Sequence, residues 1–151
     1  MKNLKDNRAE INEVLNQYFS GIFNGDADLL RSIFHPKTLV AGDISGVPYF
    51  KELDQYLEGV ATRKSPQELG ESFRMEILSV EINNTIAIAK VRVPIFDYNY
   101  YDLLSLSIFN GKWVIMNKLL THVNHSEDVE SNQNNSITRD SVSDFTGPDG
   151  W

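Results

Sequence analysis

Asp102 lies in "YYDLL" (100–104), between Tyr100, Tyr101, Leu103 and Leu104. A carboxyl among such neighbours loses its water, so its pKa rises, and in the protonated form it can donate a hydrogen bond. Tyr18 opens the stretch "YFSGIFNGDADLLRSIFHP" (18–36), and from a helix its phenol could reach the same spot. Each residue also has a plainer reading. Tyr18 is in phase with an apolar stripe and suits a core tyrosine with a satisfied hydroxyl. Asp102 suits a strand-start cap, or a partner for Lys90 or Arg92 on the neighbouring strand.

His35 precedes Pro36 at an expected helix end, where its charge would complement the helix dipole. Lys118 and His122 alternate with Met116 and Leu120 on one face of the last strand. There they are polar anchors for a ligand if that face lines a cavity, and interface groups if it meets a partner. The three histidines, His35, His122 and His125, lack metal-site spacing, and no HExxH or carboxylate cluster accompanies them. GxSxG and Gly-rich phosphate loops are also missing. No metal and no nucleotide or other cofactor is expected.

These side chains need a scaffold, and the composition supplies one. A chain of 151 residues with 41% hydrophobic and 11% aromatic content is one globular domain's worth. No apolar run nears the roughly 18 residues of a membrane span. The start, MKNLKDNRAEI, is charged and has no apolar h-region, so no secretory signal is expected. Without cysteine there is no disulfide framework and no thiolate chemistry, and a cytoplasmic protein is expected. Residues 1–123 carry 13 basic and 15 acidic side chains, whereas residues 124–151 carry one basic and six acidic. A near-neutral body with no Lys/Arg cluster argues against nucleic-acid binding.

Ile11, Val14, Leu15, Tyr18, Phe19 and Ile22 recur at helical spacing and predict an amphipathic helix over 6–23. Gly25 stops it, and Asp26 caps a short second helix that carries Leu29, Leu30, Ile33 and Phe34 and closes at His35-Pro36. TLVAGD (38–43) reads as a short strand and DISGVP as a turn. Pro48 then suits the first turn of a third helix, with Phe50, Leu53, Leu57 and Val60 as its apolar stripe. From there the pattern is strand-like: 73–82, a turn at Asn83-Asn84, 85–96, a turn at 97–99, 100–109, Asn110-Gly111, and 112–123. These four strands predict an antiparallel meander.

In the last strand Trp113, Ile115, Asn117, Leu119 and Thr121 alternate with Val114, Met116, Lys118, Leu120 and His122. Both faces are mostly apolar, so both should be covered, one by the helices and one by a second subunit or the tail. A homodimer is expected. The domain is placed at 1–123. Residues 124–151 read as an acidic polar tail, in which Phe145 or Trp151 could plug a pocket.

Three helices followed by a curved antiparallel sheet, with "YFSGIFNGDADLLRSIFHP", "IAIAKV" (86–91), "YYDLLSL" (100–106) and "NGKWVIMNKLL" (110–120), resembles the NTF2-like superfamily. Within it the chain is most similar to the SnoaL-like, or "putative lumazine-binding", group. The resemblance covers residues 8–123 and implies an α+β cone. It is also similar to the ketosteroid isomerase branch, which holds an enolate with a tyrosine and a protonated aspartic acid and moves a proton with an aspartate. Tyr18 stands eight positions before Asp26, as that tyrosine does, and Asp102 stands on the penultimate strand where that acid does. The base position falls on Gly42, with Asp43 beside it, and a one-residue slip on a strand turns the side chain to the other face.

The expected function is binding of a small, largely apolar organic molecule in the cone. Tyr18, Phe34, Tyr56, Asp102, Lys118 and His122 form the ligand-binding set. The enzymatic alternative is a cofactor-free isomerase, dehydratase or cyclase, with Tyr18 and Asp102 on the enolate and Asp43 or His35 moving the proton. The third is a protein-interaction module that uses the sheet face or the tail.

Overall fold

A computed structural model describes residues 3–124, so the acidic segment beyond Asn124, with Phe145 and Trp151, lies outside the described residues. The elements run α1 (Leu4–Asn24), α2 (Ala27–Ile33), β1 (Phe34–Ile44), β2 (Val47–Glu52), α3 (Leu53–Thr62), β3 (Glu76–Asn83), β4 (Ile86–Ile95), β5 (Tyr98–Phe109) and β6 (Lys112–His122). The fold is α+β, with three helices packed on one six-stranded sheet of order β2-β1-β6-β5-β4-β3.

The first helix forms where the periodicity predicts. Asn3 caps α1 by accepting from the Asp6 N–H at 2.9 Å, and Ile11, Leu15, Tyr18 and Ile22 face the core. Gly25 ends the helix in the left-handed region, at φ 66°, its N–H returning to the last turn. Asp26 accepts from the Leu29 N–H at 3.0 Å and starts α2.

Three local expectations are corrected. The second helix ends at Ile33, and Phe34 begins β1, with His35-Pro36 inside the strand. Pro36 is tolerated because residues 35–38 fall in a register gap between the paired Phe34 and Leu39. Pro48 and Phe50 belong to β2, not to a third helix. Ser45 and Gly46, both at positive φ, close a β1–β2 hairpin, and Pro48 sits on an edge strand, which needs no donor on its outer side. The helix α3 starts five residues after Pro48, at Leu53, with the Glu52 N–H donating to Gln55 Oε1 at 3.2 Å. The sheet is mixed rather than wholly antiparallel. β3 to β6 form the expected meander, but β1 runs parallel to β6.

The alternation expected for the last strand also breaks. Leu106 pairs with Ile115 and Ser105 with Asn117, so Met116 is an extra residue on β6. This bulge flips the phase. Trp113 and Ile115 face the helices before it, and Lys118 and Leu120 after it, while Leu119 points outward. Part of the two-faced apolar pattern is thus one covered face read through a phase change, while Val114 and Leu119 stay on the outer face.

Candidate functional site

The covered face gathers four polar side chains from four elements. Tyr18 comes from the middle of α1, Tyr56 from the buried stripe of α3, Asp102 from β5 and Lys118 from β6. Asp102 is inward because it alternates with Leu104 and pairs across the sheet with Val91 and Leu120, and Lys118 is inward because of the bulge. All four are buried.

The Tyr18 hydroxyl donates to Asp102 Oδ2 at 2.5 Å. Lys118 Nζ lies 3.8 Å from the same oxygen and donates to the Tyr56 hydroxyl at 2.7 Å. Its ammonium also stands 5.0 Å from the Tyr18 ring centroid and 4.5 Å from that of Tyr56. Among the described residues none donates to Asp102 Oδ1.

Burial raises the Asp102 carboxyl above its ordinary value, against the opposing pull of Lys118 and the Tyr18 hydrogen bond. Burial alone would push the Lys118 ammonium down, but the Tyr56 oxygen and Asp102 outweigh it and the net shift is upward. Burial, and next the Asp102 charge, hold the Tyr18 phenol well above its usual range, so it is a permanent donor.

Asp102, Lys118 and Tyr56 line a cavity of about 90 Å³. Ile22, Ile44, Val93, Ile95 and Leu120 form its apolar wall, and Tyr49, Arg63 and Tyr100 complete the lining. A buried ion pair opening onto an apolar cavity can orient a ligand oxygen or N–H while the walls hold its body.

Of the residues expected at the site, the structure brings Tyr56, Asp102 and Lys118 to the cavity and leaves the others behind or away from it. Tyr18 stands behind Asp102 and is absent from the lining, as is Phe34, which packs edge-on against Tyr18 and Tyr56. His122 accepts from the Asn99 N–H at 2.9 Å and packs on Tyr98 and Tyr100, outside the lining. Asp43 faces away, accepting from the Thr121 hydroxyl at 2.7 Å and the Gly46 N–H at 3.0 Å. His35 stacks edge-on against Phe109 and accepts from the Lys37 N–H.

Asp102 pairs with Lys118 rather than Lys90 or Arg92. Lys90 lies over Tyr101, and Arg92 binds Asn99 and Glu76. Sequence reasoning missed Tyr49, Arg63 and Tyr100 as lining residues. Tyr49 stood in what read as a helix, Arg63 follows the helix that the Val60 stripe ends, and Tyr100 was taken only as a neighbour of Asp102. Among the described residues no three His, Asp or Glu side chains are placed to hold a metal ion, and no helix is long and apolar enough to cross a membrane.

Three helices on a curved mixed sheet with a pocket between the layers make an NTF2-like fold, and solved structures share it. An NTF2-like protein of unknown function from Silicibacter pomeroyi superposes with a TM-score of 0.73 at 20% identity, covering 81% of this chain and 100% of that one. One from Methylobacillus flagellatus gives 0.71 at 22%, covering 81% of this chain and 95% of that one. A third, from Shewanella baltica, gives 0.71 at 19%, covering 82% and 98%. At these identities the likeness is one of fold. The chain belongs to the family described as "Putative lumazine-binding", whose profile matches residues 6–121. No curated protein matches the sequence.

Proposed function

We propose that the cavity binds a small organic molecule whose apolar body lies on Ile22, Val93, Ile95 and Leu120 and whose polar end meets Asp102 Oδ1 and Lys118 Nζ. The observation that carries this reading is the Asp102–Lys118 pair. Two buried charges 3.8 Å apart add little net stability, yet they line a cavity with one carboxyl oxygen uncommitted. At about 90 Å³ the cavity is well below the roughly 300–1,000 Å³ of drug-sized sites, so it suits a single ring or the end of a larger ligand. Lumazine, named in the family's description, is a flat heterocycle with neighbouring carbonyl and N–H groups and is the first probe to try.

The acid–base alternative needs a second proton carrier at the cavity. Asp43 and His35 lie elsewhere, which favours binding over turnover. The test is a fragment screen by NMR on the isotopically labelled chain. Hits should shift resonances of Val93, Ile95 and Leu120 and weaken in Asp102→Asn. Hits that cluster away from the cavity would end the reading.

A homodimer through the outer sheet face is the second reading. Leu103 and Leu119 lie directly opposite each other on that face, 43% and 44% exposed, with Ile86 and Ile88 exposed on neighbouring β4. Light scattering should then give twice the chain mass, and Leu119→Glu should give the single chain mass. A wild type of single chain mass at all concentrations removes this reading.

A further inference from the structure

We propose that the ligand is a small organic monoanion, a carboxylate on a compact apolar ring, whose charged group binds Arg63 at the cavity mouth. This rests on the pocket reading above for the cavity and its apolar walls, and it places the ligand's polar group at Arg63 in place of Asp102 Oδ1. Asp102, Lys118 and Arg63 are the charged side chains of the lining. Asp102 and Lys118 compensate each other, whereas Arg63 pairs with no carboxylate among the described residues.

Arg63 is placed by another means. Its guanidinium lies over the Phe96 ring, 4.9 Å from the centroid. Phe96 is itself fixed, in a turn at φ 54°, with its N–H donating to both Glu71 carboxylate oxygens at 3.1 and 3.2 Å. That engages Glu71 with the backbone. A guanidinium seated on a ring face keeps its in-plane N–H fork uncommitted, and that fork matches a carboxylate in two parallel hydrogen bonds.

The rest of the lining points the same way. The hydroxyls of Tyr49 and Tyr100 make no hydrogen bond to a described residue. Burial raises both phenols, Tyr100 to about 12, so both remain donors at neutral pH although Arg63 pulls the other way. Donors therefore dominate, and Asp102 Oδ1 is the principal uncommitted acceptor. A carboxylate, which only accepts, complements that set, and one uncompensated cation calls for one negative charge. Arg63 and Lys118 both line the cavity, and the Arg63 charge acts to lower the Lys118 pKa. An anion between the two cations relieves that repulsion.

The test is calorimetric titration of the full chain with benzoate and cyclohexanecarboxylate against benzamide and cyclohexanecarboxamide. It is repeated on Arg63→Gln and Arg63→Lys, which alter an exposed side chain. Each carboxylate should bind about ten-fold or more tighter than its amide, the range expected of charge-assisted hydrogen bonds. Arg63→Gln should erase that preference, and Arg63→Lys should keep part of it. If amides bind and carboxylates gain nothing from Arg63, the charge assignment is overturned while the pocket reading stands. If neither kind binds to the wild type, this inference falls, and the fragment screen decides the pocket reading separately.

Discussion

The Tyr18 hydroxyl on α1 donates to Asp102 Oδ2 on β5 across 2.5 Å, between residues 84 apart in the chain. The resemblance to ketosteroid isomerases implied two separate donors aimed at one ligand oxygen. Here the phenol is committed to the carboxyl, and only Asp102 of the two lines the cavity. Tyr18 therefore fixes the Asp102 carboxyl through Oδ2, and Oδ1 accepts from no donor among the described residues.

Replacing Tyr18 with Phe keeps the ring packing on Phe19 and Phe34 and removes the donor. The buried Oδ2 then lacks its hydrogen bond, at a cost of about 1–3 kcal/mol. Urea unfolding should show a lower midpoint with the same slope. An unchanged midpoint would mean that the hydrogen bond contributes nothing net.

The raised Asp102 carboxyl gives a stability signature of unusual sign. The folded chain holds this proton more tightly than the unfolded one. The group's contribution is thus fully present below the ordinary value of 3.8 and is lost as pH rises through the higher folded value. Asp102→Asn cannot titrate. The stability of the wild type relative to this variant should therefore increase on acidification. Parallel pH profiles of the two proteins would contradict a raised carboxyl.

Removing one partner of the buried pair leaves the other uncompensated. Lys118→Met should cost about 3–5 kcal/mol at neutral pH. Adding Asp102→Asn should restore most of that loss, because the amide still accepts from Tyr18 and carries no charge. Recovery of stability without recovery of ligand binding would assign the pair to function. A double variant as unstable as the single one would assign it to structure.

Gly42 occupies the base position that the resemblance implied, and it can carry no side chain. Its φ is 141°, and a Cβ there would lie 1.8 Å from the Leu120 carbonyl oxygen. Gly42→Ala should lose at least about 3 kcal/mol or fail to fold, as read by circular dichroism and thermal melting. A normally stable Gly42→Ala would reopen this position to a carboxylate.

Local periodicity was enough for much of this fold. The apolar spacing of α1, the Gly25-Asp26 junction, the β3–β4 turn, expected at Asn83-Asn84 and found one residue on at 84–85, and the Asn110-Gly111 turn all describe interactions within a few residues. Their outcome is written in the same few residues. Burial of Asp102 and Tyr18 was legible in their flanking apolar residues, whereas their direct hydrogen bond was not.

The tertiary structure alone decided what depends on distant pairing. The parallel contact of β1 with β6 brings together segments about 80 residues apart in the chain, and no local pattern encodes its direction. The Met116 bulge is a single extra residue with no compositional mark. It nonetheless decides that Lys118, and not Asn117, meets Asp102. Arg63 and Tyr49 reach the cavity only because α3 packs on the sheet and β2 pairs with β1 at its edge. The sequence therefore determined the layers and the buried acid, and the cross-strand register determined its neighbours. A strand's side-chain phase is local only until a bulge resets it.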